Sequence, residues 1–173
     1  FFARLFVATL GLKRKLLLAY DKSHELTSTH KRETLLVEWS GANDLMTVNA
    51  HPSKLEVEAA VRARINNIKS LHKEGYRHFM LVNMPDLALT PRYQHKSKVE
   101  RQRAHDCSKL FNHRLKEEIL TLRASDKHVG CSFEIFDAAN VFREAFYNPE
   151  LYGFNPNRKT EPYITSKAFK ISL

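Results

Sequence analysis

Leu35-Leu36-Val37-Glu38-Trp39-Ser40-Gly41-Ala42-Asn43-Asp44 is the stretch that decides the fold. Its first five residues form a short, mostly apolar run. Such a run suits a strand buried in a parallel sheet. From Ser40 the chemistry changes. Gly41 permits a turn that a side chain would resist, and Asn and Asp favour turns because their side chains bond the nearby backbone. Two readings of this turn stand side by side. In one it merely ends the strand. In the other Asn43 holds its amide over the rim of a sheet, where an N–H donor can bind the oxyanion of a tetrahedral acyl-transfer intermediate. Asp44 then holds the turn.

Working outward, the spacing predicts a helix over residues 12–26, with Leu12, Leu16, Ala19 and Tyr20 on one face. Thr27 to His30 reads as a loop. After the quoted stretch a second loop carries His51-Pro52-Ser53, with Ser53 as an N-cap. Residues 55–72 are helical, with Val57, Val61, Ile65, Ile68 and Leu71 as one stripe and Gly75 as the C-cap glycine. A second strand spans residues 78–83. A loop follows to about Lys98, then a long charged helix over residues 99–123. A third strand spans residues 131–137, and a helix spans residues 138–147. Short apolar strands alternating with helices predict an α/β fold, a parallel sheet covered by helices and crossed by right-handed connections. Ligands bind such sheets at the carboxyl ends of the strands. Ser40–Asn43, Met84–Tyr93 and Asp137–Val141 sit there.

The 173 residues fit one domain, expected over residues 1–173. The chain is 43% hydrophobic and 27% charged, the balance of a globular protein. The apolar stretch Phe1–Leu10 carries Arg4 and is too short to span a bilayer. Its basic residues Lys13, Arg14 and Lys15 follow the apolar part, the reverse of a signal peptide. An amphipathic surface helix is expected there. The net charge of +9 favours anionic partners, or is simply a solvated surface. Cys107 and Cys131 match no zinc or redox spacing; they are either one disulfide or two buried thiols. No metal-ligand spacing, P-loop or Gly-x-Gly-x-x-Gly is present, so no metal or cofactor is expected.

Trp39-Ser40-Gly41-Ala42-Asn43-Asp44 resembles the third conserved block of the SGNH/GDSL hydrolases. Val82 to Tyr93 is similar to the strand and loop that follow in that family. Phe111-Asn112-His113-Arg114-Leu115 resembles the helix start after the loop. Phe136-Asp137, Asn148-Pro149 and Tyr152-Gly153-Phe154 resemble the approach to the last block. The subgroup most similar is the bacterial lysophospholipase A and glycerophospholipid–cholesterol acyltransferase branch. The resemblance implies a flavodoxin-like α/β sheet and an ester hydrolase acting on lipid acyl esters through a serine acyl-enzyme. It implies that Asn43 is the oxyanion donor, supported by Gly41 and Asp44. It also implies a lipid or phospholipid ester as substrate, no cofactor, and export from a bacterium.

The chain departs from the family in two places. No glycine precedes an aspartate, so the Gly-Asp-Ser nucleophile block is not in this sequence. After Asp137 there is no Asp or His, so the final segment cannot supply the family's Asp-x-x-His pair. The expectation is a domain incomplete at both ends, inactive alone, with apolar sheet surface uncovered and marginal stability. His51, His78, His95, His105, His113 and His128 are scattered and form no recognisable triad; His113 reads as a solvated helix residue and His78 as a strand start at a sheet edge or turn.

Arg92, Lys96, Lys98, Arg101 and Arg103 suit either a solvated face or an anionic membrane surface. Phe142, Phe146, Tyr147, Tyr152 and Phe154 read as core, or as an acyl groove. The alternative to an enzyme is an inactive α/β remnant that binds anionic lipid or protein through its basic face. Nucleic acid is not an expected partner, because no recognised module supports it.

Overall fold

A computed structural model describes residues 9–48, 52–125, 127 and 129–162. The elements run α1 (Leu10–Ser23), α2 (Ser28–Glu33), β1 (Leu35–Glu38), α3 (Lys54–Lys73), β2 (His78–Val82), α4 (Pro91–Gln94), α5 (Lys98–Arg123), β3 (Ser132–Phe136) and α6 (Ala138–Tyr147). Single turns at Asp44–Val48, Leu87–Leu89, Pro149–Tyr152 and Pro156–Arg158 link them. The three strands form one parallel sheet in the order β1-β2-β3, with Leu35 beside His78 and His78 beside Ser132. This bears out the α/β class and the parallel sheet.

The chain divides into two compact units, and the divisions fall at the strand ends. The first takes the residues to Gly41, Glu58–Val82 and Arg114–Phe136. The second takes Ala42–Val57, Asn83–His113 and the residues from Asp137.

In the first unit the two faces of the sheet differ. Alternate residues of a strand point to opposite faces. Phe79, Leu81 and Phe133 are buried, and the rings of Phe79 and Phe133 stack at 5.4 Å. On the opposite face Leu35, Val37 and Phe136 are 51%, 60% and 47% exposed. Both crossovers step the same way across the sheet, and right-handed connections then put both connecting helices on one face. Among the described residues this face therefore presents the exposed apolar side chains Leu35, Val37 and Phe136.

The α3 stripe Val57, Val61, Ile65, Ile68 and Leu71 is buried as predicted. Ser53 caps α3 through a reciprocal box: its hydroxyl accepts from the Glu56 N–H, and the Glu56 carboxylate accepts from the Ser53 N–H at 2.7 Å. Ser97 and Glu100 repeat the device at the start of α5. Gly75, at φ 105°, ends α3 in a conformation that favours glycine.

Several expectations are corrected. Thr27 to His30 is not a loop but the start of α2. The Thr27 hydroxyl accepts from the His30 N–H at 3.2 Å, and the His30 ring accepts from the Thr27 N–H at 3.3 Å. Leu12, Leu16 and Tyr20 of α1 are exposed; the buried residue of α1 is Asp21, which accepts from the Tyr76 hydroxyl at 2.8 Å and pairs with Lys31 at 3.4 Å. His78 opens the central strand, not an edge. Phe111–Leu115 lies in the middle of α5, not at a helix start. Phe142, Tyr147, Tyr152 and Phe154 are exposed rather than core. Cys107 and Cys131 are free, half-buried thiols. His51, His128 and nearly all of the Phe1–Leu10 segment lie outside the described residues. Among the described residues no helix is long and apolar enough to cross a membrane.

Candidate active site

The carboxyl end of β1 is fixed by a buried charge. Arg64 holds a position inside the apolar α3 stripe, three residues after Val61, and its side chain is only 1% exposed. Its Nε donates to the Glu38 carboxylate. Its Nη2 donates to the backbone oxygens of Glu38 at 2.8 Å and Val82 at 3.0 Å, tying the ends of β1 and β2. The Ser40 hydroxyl donates to the same Glu38 carboxylate. Burial lowers the Arg64 pKa from its ordinary value, against the opposing pull of Glu38. The chain therefore leaves β1 through a clamped Glu38 and Ser40.

Gly41 follows, buried and at φ 106°, a conformation that favours glycine. Asn43 and Asp44 are exposed, and Asp44 opens the single wide turn Asp44–Val48. The turn expected at Gly41 is thus present, two residues before Asn43.

The exits of the other two strands are joined within the second unit. Asn83 donates from Nδ2 to Asp137 Oδ1 at 2.8 Å, and its Oδ1 accepts from the Ala139 N–H at 2.8 Å. Asp137 also caps α6 by accepting from the Asn140 N–H. Asn112 of α5 locks Met84 on both sides: its Oδ1 accepts from the Met84 N–H and its Nδ2 donates to the Met84 carbonyl, each at 2.8 Å. Buried Ser108 accepts from the Leu87 N–H at 3.0 Å. Met84–Leu87 is thus a braced segment rather than a free loop.

His105 and His78 are among the histidines with polar partners that sequence spacing did not reveal. His105 Nδ1 lies 2.6 Å from Asp86 Oδ2, while Asp86 Oδ1 accepts from the Ala88 N–H. His78 Nδ1 lies 2.9 Å from the Ser132 hydroxyl, at the amino ends of β2 and β3. One pair has an acid and a histidine, the other a serine and a histidine, and they share no residue. A Ser-His-Asp relay needs all three groups in mutual reach. Neither pair supplies it, and the second sits at the end of the sheet opposite to the one where ligands bind. His113 is exposed on α5, as expected.

Among the basic residues, Lys96 pairs with Glu100 at 3.7 Å. Arg103 is exposed and lines a cavity with Lys54. No group of three or more His, Cys, Asp or Glu side chains that could hold a metal occurs among the described residues.

The braces were missed because each pairs distant residues. A signal existed: Arg64, Ser108 and Asn112 are polar residues at helical positions whose neighbours Val61, Ile65, Ala104, Phe111 and Leu115 are buried. A polar group on such a face needs a partner.

Residues 12–166 match the family model described as GDSL-like lipase/acylhydrolase. The secreted effector protein SseJ of Salmonella typhimurium is 31% identical over 121 residues, covering 69% of this chain and 28% of that protein. The chain thus spans little more than a quarter of that relative's length. With the family model covering most of its residues, the chain belongs to the GDSL-like lipase/acylhydrolase family.

Proposed function

We propose that this chain serves an ester hydrolase or acyltransferase acting on lipid acyl esters, with Asn43 as an oxyanion donor and Gly41 and Asp44 holding its turn. The observation that carries the reading is the positive φ of Gly41 at the end of a clamped β1, with Asn43 exposed two residues on. Family membership and the similarity to a secreted effector support the lipid-ester class and an exported bacterial protein. No Gly-Asp-Ser occurs in these 173 residues and no Asp-x-x-His follows Asp137, so the reading applies to the enzyme in which those blocks act with this chain.

In that reaction a serine Oγ bonds to the ester carbonyl carbon and its proton passes to the histidine. The carbonyl π electrons move to oxygen, and the Asn43 Nδ2–H donates to the resulting oxyanion. Collapse breaks the bond to the alcohol, which leaves with the histidine's proton. Water or an acceptor alcohol then attacks the acyl-enzyme. The Arg64–Glu38–Ser40 clamp acts along the chain, restricting the backbone that enters the Asn43 turn, and a donor fixed before reaction needs little reorganisation during it. The exposed cations Lys98 and Arg103 suit an anionic membrane surface.

The test is Asn43→Ala in the full-length enzyme. Ester turnover should fall by roughly 10²–10³-fold in kcat with little change in KM. Turnover within about threefold of the parent would remove Asn43 from the mechanism.

A further inference from the structure

The outward face of α1 carries a heptad pattern. Leu12, Leu16, Ala19 and Ser23 follow one another at spacings of four, three and four residues. That is the d-a-d-a seam of a coiled coil. All four are exposed, Leu12 at 48% and Leu16 at 61%. Tyr20, in the e position beside Leu16, is 55% exposed.

The seam is fixed outward by the opposite side of the helix. Arg14 and Asp21 hold the f positions there. Arg14 Nη1 donates to Asn67 Oδ1 at 2.8 Å, and the buried Asp21 carboxylate accepts from the Tyr76 hydroxyl at 2.8 Å. Both partners belong to the same compact unit as α1. The end of the seam is held as well. The Tyr20 ring stacks on His24 with centroids 3.9 Å apart, and the Ser23 hydroxyl donates to the Tyr20 carbonyl at 2.9 Å.

Charge selects what fits this face. Lys15 and Lys22 occupy the g positions, and Lys13 the e position on the other flank. All three are exposed, and none is in an ion pair among the described residues. The one acidic residue of α1 is Asp21, which faces inward. In coiled coils the e and g charges choose the partner. A second copy of this chain would set lysine against lysine in either orientation of the two helices. A membrane fits less well, because a stripe confined to a and d positions is the narrow seam of a helix pair rather than a broad apolar face.

We propose that α1 docks an acidic amphipathic helix of a partner protein, with apolar side chains set among Leu12, Leu16, Ala19 and Tyr20 and carboxylates opposite Lys13, Lys15 and Lys22. With 14 residues α1 is about 21 Å long, two heptads of contact. Standard interfaces bury about 800 Å² on each partner. A seam this short falls below that and suits micromolar, reversible binding. It lies in the first unit and the Asn43 turn in the second, so docking does not depend on the catalytic role of Asn43.

The test uses the full-length protein and a fluorescein-labelled peptide of three heptads, leucine at a and d and glutamate at e and g, read by fluorescence anisotropy. Saturable micromolar binding that weakens as salt rises is expected. A matched peptide with lysine at e and g should bind about tenfold more weakly. Leu16→Asp, at an exposed position, should abolish binding without moving the urea midpoint. Lys13→Glu, Lys15→Glu and Lys22→Glu together should reverse the preference between the two peptides, which damage to the fold would not do.

Failure of the acidic peptide to bind, equal binding of the two peptides, or binding indifferent to Leu16→Asp each overturns the proposal. If Leu16→Asp instead abolishes sedimentation with phosphatidylglycerol vesicles while neither peptide binds, the face belongs to a membrane. If it abolishes self-association seen by ultracentrifugation while neither peptide binds, the face belongs to a second copy. Either result also overturns the proposal.

Discussion

Replacing Arg64 is the sharpest probe of what holds this fold. Arg64→Met keeps the length of the side chain and removes its charge and donors. The guanidinium donates to the Glu38 carboxylate and to the backbone oxygens of Glu38 and Val82. Bonds to charged groups contribute about 1.5–3 kcal/mol each, a gross of roughly 5–9 kcal/mol. Desolvation of the guanidinium opposes this, as its lowered pKa indicates. Breaking one side of a buried ion pair costs about 3–5 kcal/mol on balance, and that is the loss expected. Glu38→Gln should also destabilise, because it leaves a buried guanidinium without its counter-charge. The double variant should be about 2 kcal/mol more stable than the two losses added together. Urea unfolding followed by Trp39 fluorescence reads all four chains, since Trp39 is the single tryptophan and adjoins Glu38. A loss below about 1 kcal/mol in Arg64→Met, or additivity within about 0.5 kcal/mol, would refute the reasoning.

Three further outcomes are expected. Asn112→Ala leaves the Met84 N–H and carbonyl without a partner and should cost roughly 2–4 kcal/mol, while Asn112→Asp, which still accepts but no longer donates, should lose about half as much; urea midpoints check both. The Tyr76 phenol is raised above its ordinary value, first by burial and then by Asp21, so the folded chain holds that proton more tightly than the unfolded chain. Its contribution is intact below about pH 10 and is lost as pH rises beyond. Absorbance at 295 nm should show Tyr76 ionising only together with loss of circular dichroism; ionisation in the folded chain near pH 10 would contradict this. Lys at Leu35 or Val37, on the exposed sheet face, should change stability by less than about 0.5 kcal/mol and lower both anilinonaphthalene sulfonate fluorescence and self-association; unchanged dye binding would mean that this face is not the apolar patch.

Much of the frame was legible because apolar periodicity reports directly on burial. The α3 stripe and all three strands follow from it, and Gly41 and Gly75 have the backbone their positions suggested. Periodicity misleads where burial is decided by a partner far along the chain. Leu12, Leu16 and Tyr20 look like an inner face, yet Asp21 is the buried residue, because Tyr76 and Lys31 meet it. The pattern also cannot order strands, which is why His78 was expected at an edge and stands in the centre. For the site, Gly41-Ala42-Asn43 was visible through resemblance and turn chemistry. The braces at Asn83, Asn112 and Asp86–His105 were not, since hydrogen-bond partners 19 to 56 residues apart leave no local mark.

The order β1-β2-β3 has a consequence for synthesis. A nascent chain emerges amino end first, yet Leu35 finds its neighbour only when His78 is made, and His78 finds its second neighbour only at Ser132. At ~5–20 residues per second β1 stands unpaired for roughly 2–10 s, its backbone donors and its Leu-Leu-Val run open to other chains. Parallel pairing over such separations is slow to form even once both strands exist. Yield in the cell should therefore depend on chaperones that engage nascent chains, and slowing translation after β1 should lengthen the vulnerable interval rather than help folding.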